Sequence, residues 1–125
     1  MTDQKTILLI DDEVDFVKML KGVLESEGYC VAVAHNGFEG LKRLRTINPH
    51  LIILDMNMPK MGGIEMLRKL RNDSKGRDIP VIMFTNLGDN ENVANAIELG
   101  SNDYLVKSNW TLENIMAKIK EKLEV

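Results

Sequence analysis

Short apolar runs alternate with stretches of helical periodicity along the whole chain. Thr6–Ile10 is a five-residue apolar run, and Phe16, Val17, Leu20, Val23 and Leu24 then recur at the spacing that places them on one helical face. Gly28 stands where a helix C-terminal glycine belongs. Tyr29–Ala34 reads as a second strand, and Asn36 with Glu39 three residues on has the form of a capping box. Phe38, Leu41, Leu44 and Ile47 are the expected apolar face of the helix that follows. Leu51–Leu54 is an unbroken apolar run, short enough for a strand buried on both faces in the middle of a parallel sheet. Ile64, Leu67 and Leu70 continue the helical pattern. Ile79–Phe84 reads as a fourth strand, with its proline near the start, where a missing amide donor matters least. Val93, Ala94, Ala96 and Ile97 give a short, weakly apolar helix ending near Gly100. Tyr104–Val106 is the core of a fifth strand, and Leu112, Ile115, Met116, Ile119 and Leu123 form a last amphipathic helix. Five strand–helix repeats predict an α/β fold, with a parallel sheet covered on both faces.

In open sheets of this kind, ligands bind beyond the carboxyl ends of the strands. The first strand runs into Asp11, Asp12 and Glu13, the third into Asp55, the fourth into Thr85 and the fifth into Lys107. The second ends in Ala34 and His35, with nothing comparable. If strands one, three, four and five are neighbours, three of these carboxylates, those of Asp11, Asp12 and Asp55, share one shallow site with a hydroxyl and an ammonium. Clustered carboxylates repel unless a cation offsets them. Acid oxygens with open water positions suit Mg²⁺, which takes few protein ligands and keeps several waters. Lys107 and Thr85 would complete a setting that stabilises the oxygens of a transferring phosphoryl group, with Asp55 as a nucleophile able to become an acyl phosphate. Each of these residues has a plainer reading. Acids after the first strand also favour a helix N-terminus, threonine often caps a turn, and lysine is often a solvated charge. The combination at four strand ends carries the argument.

Composition narrows the picture further. The 125 residues suit a single domain over 1–125, with 44% hydrophobic and 28% charged residues. A net charge of −3, from 16 basic against 19 acidic residues, does not favour a nucleic-acid-binding surface overall. Lone Cys30 lies in an apolar stretch, where it is expected to act as a small buried hydrophobe in a reducing cytoplasm. The N-terminus lacks the pattern of a secretory signal, and no apolar run approaches transmembrane length. His35 and His50 lack metal-ligand spacing and read as surface residues; Met56, Met58 and Met61 read as loop packing.

These motifs closely resemble the response-regulator receiver domain of two-component signalling. The resemblance rests on Asp11-Asp12-Glu13, the Asp-x-x-Met-Pro of Asp55–Pro59, Thr85 and Lys107, and it covers nearly the whole chain. It implies a flavodoxin-like (βα)5 three-layer sandwich with strand order 2-1-3-4-5. By the same resemblance, Asp55 takes a phosphoryl group from a histidine kinase or histidine phosphotransfer protein. Asp12 and Asp55 would bind Mg²⁺ (or Mn²⁺) directly, Asp11 mainly through water, and Asn57 through its backbone carbonyl. Lys107 would pair with the phosphoryl oxygens, Thr85 would hydrogen-bond to them, and Tyr104 would turn inward as the switch aromatic. Phosphorylation would bias the surface of the fourth helix, fifth strand and last helix toward an unnamed effector, and slow self-dephosphorylation would reset it. The implied protein is a cytoplasmic signalling phosphoacceptor rather than an enzyme, acting without direct contact to nucleic acid or membrane, with homodimerisation open. It stands alone or comes from a longer multidomain regulator or hybrid kinase.

Three positions depart from the family's pattern. Ser108 follows Lys107 in place of proline; a cis bond there would cost roughly 2.5–4 kcal/mol, so a trans bond is expected. Asn86 replaces a small residue after Thr85, and Gly62 replaces the usual polar residue before Gly63. None removes an essential group. A haloacid-dehalogenase-type phosphatase would want an acid where Asn57 stands, and a flavodoxin-like cofactor binder would want a phosphate loop where Asp11–Glu13 stand. A receiver-like interaction module that is never phosphorylated is the remaining alternative.

Overall fold

The computed structural model describes residues 4–85, 94, 98, 100, 103–106 and 111–123. Its elements run β1 (Thr6–Ile10), α1 (Val14–Ser26), β2 (Cys30–Ala34), α2 (Gly37–Arg43), β3 (Leu51–Asp55), α3 (Gly63–Arg71), β4 (Val81–Thr85), β5 (Asp103–Val106) and a last helix, Leu112–Leu123. Ala94 and Glu98 are helical, in the segment where the periodicity predicts a helix, and the other residues of that helix lie outside the described ones. The strands form one parallel sheet in the order β2-β1-β3-β4-β5, the flavodoxin-like arrangement.

Strand alternation divides the core in two. Leu8, Ile10, Ile52, Leu54, Val81 and Met83 face α2 and α3, where they meet Leu44, Met66, Leu67 and Leu70. Ile7, Leu9, Leu51, Ile53, Ile82 and Phe84 face α1 and the last helix, against Val17, Leu20, Leu24, Ile115 and Ile119. Phe16 meets Phe84 edge-on, with ring centroids 5.2 Å apart. Because β1, β3 and β4 are covered on both sides, their sequences are continuous apolar runs rather than alternating ones. Gly28 takes φ 97° just past α1, and the Tyr29 N–H reaches back to the Leu24 carbonyl at 3.1 Å.

Several packing expectations are corrected. Phe38 is 57% exposed rather than core-facing. α2 presents its glycines inward: a Cβ on Gly37 would lie 2.8 Å from the Met61 side chain, and one on Gly40 would lie 2.6 Å from Ile10. With positions 37, 40, 41 and 44 facing inward, position 38 falls about 60° beyond the edge of that stripe. Cys30 is exposed, because β2 is an edge strand and Cys30 is its first residue. Tyr29 lies just before β2, although its side chain is buried. Leu112 is 39% exposed in the first turn of the last helix, one turn before the buried Ile115. α2 ends at Arg43 rather than continuing to Ile47, and the chain tightens through Arg45 N–H to Lys42 O and Thr46 N–H to Arg43 O. β4 begins at Val81, after Pro80, whose carbonyl still accepts the Ile52 N–H at 3.0 Å.

Arg71 closes α3 with contacts that no periodicity announces. Its Nη1 donates to the carbonyls of Gly76 (2.9 Å), Arg77 (3.3 Å) and Ile79 (2.8 Å), and its Nη2 to Gly100 (2.6 Å). One guanidinium therefore ties the end of α3 to the approach of β4 and to the turn before β5. Burial pushes its pKa below the ordinary arginine value, with Asp78 pulling the other way.

The start of α3 is equally constrained. A Cβ on Gly63 would lie 2.4 Å from the Asp55 carbonyl oxygen, whereas one on Gly62 meets nothing nearer than 3.4 Å. Gly62 is the N-cap, with φ −73° and ψ 168° and no side-chain cap. Gly63→Ala is therefore expected to lower unfolding stability by about 1–3 kcal/mol in urea titrations. Gly62→Ser, supplying the missing cap oxygen, should raise it by about a few tenths of a kcal/mol.

Candidate functional site

Parallel pairing of β1 with β3 sets Ile10 beside Leu54, so the next residue of each strand, Asp11 and Asp55, emerges at the same edge of the sheet. Both acids are buried, at 1% and 2% exposure, while Asp12 is exposed. One carboxylate oxygen from each of Asp11, Asp12 and Asp55 lies within 4.8 Å of the others.

The two buried acids are held alike. Asp11 Oδ1 accepts the Glu13 N–H at 2.9 Å, and Asp55 Oδ1 accepts the Asn57 N–H at 3.1 Å. Each carboxylate thus folds back on the backbone two residues ahead, which fixes its rotamer. The Asp11 N–H donates to Ala34 O at 3.1 Å and the Met56 N–H to Phe84 O at 2.9 Å, so the ladder continues into the site. The helix-cap reading of the first acids is weak: Glu13 is the N-cap of α1 and makes no side-chain cap bond.

Beyond Asp55 the loop turns sharply. Lys60 has φ 68°, and the Met61 N–H donates to Pro59 O at 2.8 Å, a three-residue turn in a conformation that L-residues rarely adopt. Met56 and Met61 are buried and Met58 packs against the same cluster, as loop packing requires. Asn57 is exposed beside the acids. The sequence shows a Pro-Gly loop here, but nothing in it singles out Lys60.

The remaining expected site residues fall at the margins of what is described. Thr85 closes β4 beside Val106 of β5, and its side chain lies outside the described parts. Lys107, Ser108, Asn86 and Trp110 lie outside the described residues. Tyr104 is on β5 and 41% exposed. The histidines are exposed, and neither belongs to the acid cluster. His50 joins the other end of the sheet, accepting the Thr6 N–H on Nδ1 at 3.0 Å and donating its own N–H to Thr6 O at 2.8 Å.

The donor set has the chemistry of a hard-cation site: carboxylate oxygens only, two of them buried and one open to water. Among the described residues no helix is long and apolar enough to cross a membrane.

Residues 7–120 match the family model of the response regulator receiver domain. The chain is 34% identical over 98% of its length to the DNA-binding response regulator MtrA of Mycobacterium bovis, covering 52% of that protein. The CheY-like receiver domain protein of Methanospirillum hungatei superposes with a TM-score of 0.90 at 31% identity, over 98% of this chain and 95% of that one. The response regulator TrrA of Thermotoga maritima, solved in complex with Mg²⁺-BeF, gives a TM-score of 0.83 at 32% identity, over 96% and 100%. The chain belongs to the response regulator receiver domain family, and is a receiver domain of two-component signalling. It spans about half the length of the curated relatives it matches.

Like charges this close repel, and the repulsion is largest without a counterion. Asp12→Asn, measured in chelator, is expected to raise unfolding stability by roughly 1 kcal/mol. A lowered midpoint would show that the carboxylates do not repel in this geometry.

Proposed function

We propose that the protein is a phosphoacceptor, with Asp55 taking a phosphoryl group from the phosphohistidine of a histidine kinase or histidine phosphotransfer protein. The observation that carries this reading is the meeting of Asp11, Asp12 and Asp55 at the carboxyl edge of the sheet. A carboxylate oxygen of Asp55 attacks phosphorus in line with the departing imidazole nitrogen. The P–N bond breaks as the P–O bond forms, and the electron pair leaves with the imidazole. The Asn57 N–H holds Oδ1, so the carboxylate is oriented before the donor arrives.

Asp12 and Asp55 would hold Mg²⁺ (Mn²⁺ as a substitute) directly, with Asp11 mainly through water and Asn57 through its carbonyl. Held there, the ion would supply positive charge to offset that on the phosphoryl oxygens. The Glu13 N–H fixes the Asp11 carboxyl group. Thr85 would donate a hydrogen bond to the phosphoryl group, Lys107 would pair with it, and Tyr104 would turn inward behind Thr85. Water attack at phosphorus breaks the Asp55 O–P bond, releases inorganic phosphate, returns Asp55 to the carboxylate and so slowly resets the switch. The net charge of −3 supports direct partners that are proteins; DNA binding is named for the longer MtrA.

Intact-protein mass after incubation with acetyl phosphate tests the reading. The expected result is a Mg²⁺-dependent gain of one phosphoryl group that is absent in Asp55→Asn. Mg²⁺ should also raise the thermal midpoint of the unmodified protein more than that of Asp12→Asn. If neither a phosphoryl group nor beryllofluoride binds, with Trp110 fluorescence as the readout, the protein is an interaction module that works without phosphorylation.

A further inference from the structure

Charge is spread unevenly along the chain. Nine of the 16 basic residues fall between positions 42 and 77, against three of the 19 acidic ones. α2 and α3 both end within this span, and a cavity of about 280 Å³ lies between their last turns. Leu41, Leu44 and Leu70 supply its apolar lining, and Arg45, Lys69 and Lys75 its cations. A more open hollow of about 330 Å³ along the end of α2 is lined by Glu39, Lys42, Arg43 and Thr46.

Part of this charge has a local use. Lys42, Arg43, Arg68 and Lys69 stand in the last turns of their helices, where cations complement the helix dipole. Lys75 Nζ donates to the Leu44 carbonyl and so closes the end of α2. Arg45 lies beyond that helix, and neither Arg45 nor Lys69 engages a carboxylate among the described residues. The acid lining the cavity, Asp73, has one oxygen turned to the Lys75 N–H at 2.8 Å. The cavity therefore carries a cationic surplus around an apolar lining.

That combination selects its occupant. A bare phosphate backbone would use the cations and leave the leucines unused. Among the described residues no aromatic side chain lines the cavity to stack a base, and the chain as a whole is acidic. We propose that the groove between the ends of α2 and α3 docks an acidic segment of a partner protein. One apolar side chain of the segment seats against Leu41, Leu44 and Leu70, and its carboxylates meet Arg45, Lys69 and Lys75. In a parallel sheet with crossover helices, helix C-termini lie at the pole opposite the carboxyl ends of the strands. A segment bound here leaves Asp55 open to its phosphodonor.

The test is an amide NMR titration of the full chain with a synthetic Glu-rich peptide carrying one leucine. Amides of residues 41–45 and 69–76 should shift, and raised salt should weaken the binding. Exchanging the leucine for serine should weaken it too. Arg45→Glu with Lys69→Glu should raise Kd about tenfold or more, with the acetyl-phosphate reaction at Asp55 unchanged and the thermal midpoint lowered only by the loss of Lys69 from the last turn of α3. The pair Arg45→Gln and Lys69→Gln serves if charge reversal impairs folding. The proposal is overturned if these amides do not shift, if a Lys-rich peptide shifts them equally, or if an oligothymidine binds them more tightly. Concentration-dependent shifts at the same amides without peptide would overturn it in favour of a second copy of the chain. The titration does not use Asp55 chemistry, so its failure is separate from failure of the phosphoacceptor reading.

Discussion

The pairing of β1 with β3 is the contact on which the rest of the structure depends. Both strands are buried on both faces, and both run directly into a carboxylate at the same edge of the sheet. Apolar burial fixes the register, because a slip by one residue would turn every side chain to the opposite layer. The register in turn fixes the distance between like charges. Hydrophobic packing thereby holds together groups that would separate if free, and a cation bound among them would relieve that repulsion.

The layers around that pair serve positioning more than chemistry. α3 begins against the Asp55 carbonyl, at a place where only glycine fits, and ends at Arg71. The turn at Lys60 lets the chain leave Asp55 and enter α3 within a short loop while Met56 and Met61 stay buried.

Much of this was legible in the sequence, because buried parallel strands write themselves as apolar runs and their chemistry sits at the run ends. Asp11, Asp12 and Asp55 were found that way, and the structure brings them together. The exposure of Phe38 is not legible there because a hydrophobic pattern gives no weight to glycine, and Gly37 and Gly40 are what face Met61 and Ile10. The exposure of Cys30 is not legible either, because an apolar run does not say whether its strand is central or at an edge. The Arg71 and Lys60 features escaped for another reason. They depend on backbone carbonyls and dihedrals, which leave no residue pattern.

Arg71 gives the connection between α3 and β4 an unusual standing among the surface loops. Loops commonly tolerate added residues, since lengthening a flexible closure costs little entropy. Here three carbonyls of that connection, at Gly76, Arg77 and Ile79, converge on one guanidinium that also holds Gly100. An inserted residue would shift some of them out of reach and strand donors that are partly withdrawn from water. Tags, grafted epitopes and new chain termini therefore belong elsewhere on the molecule, and length drift among homologues should avoid this loop.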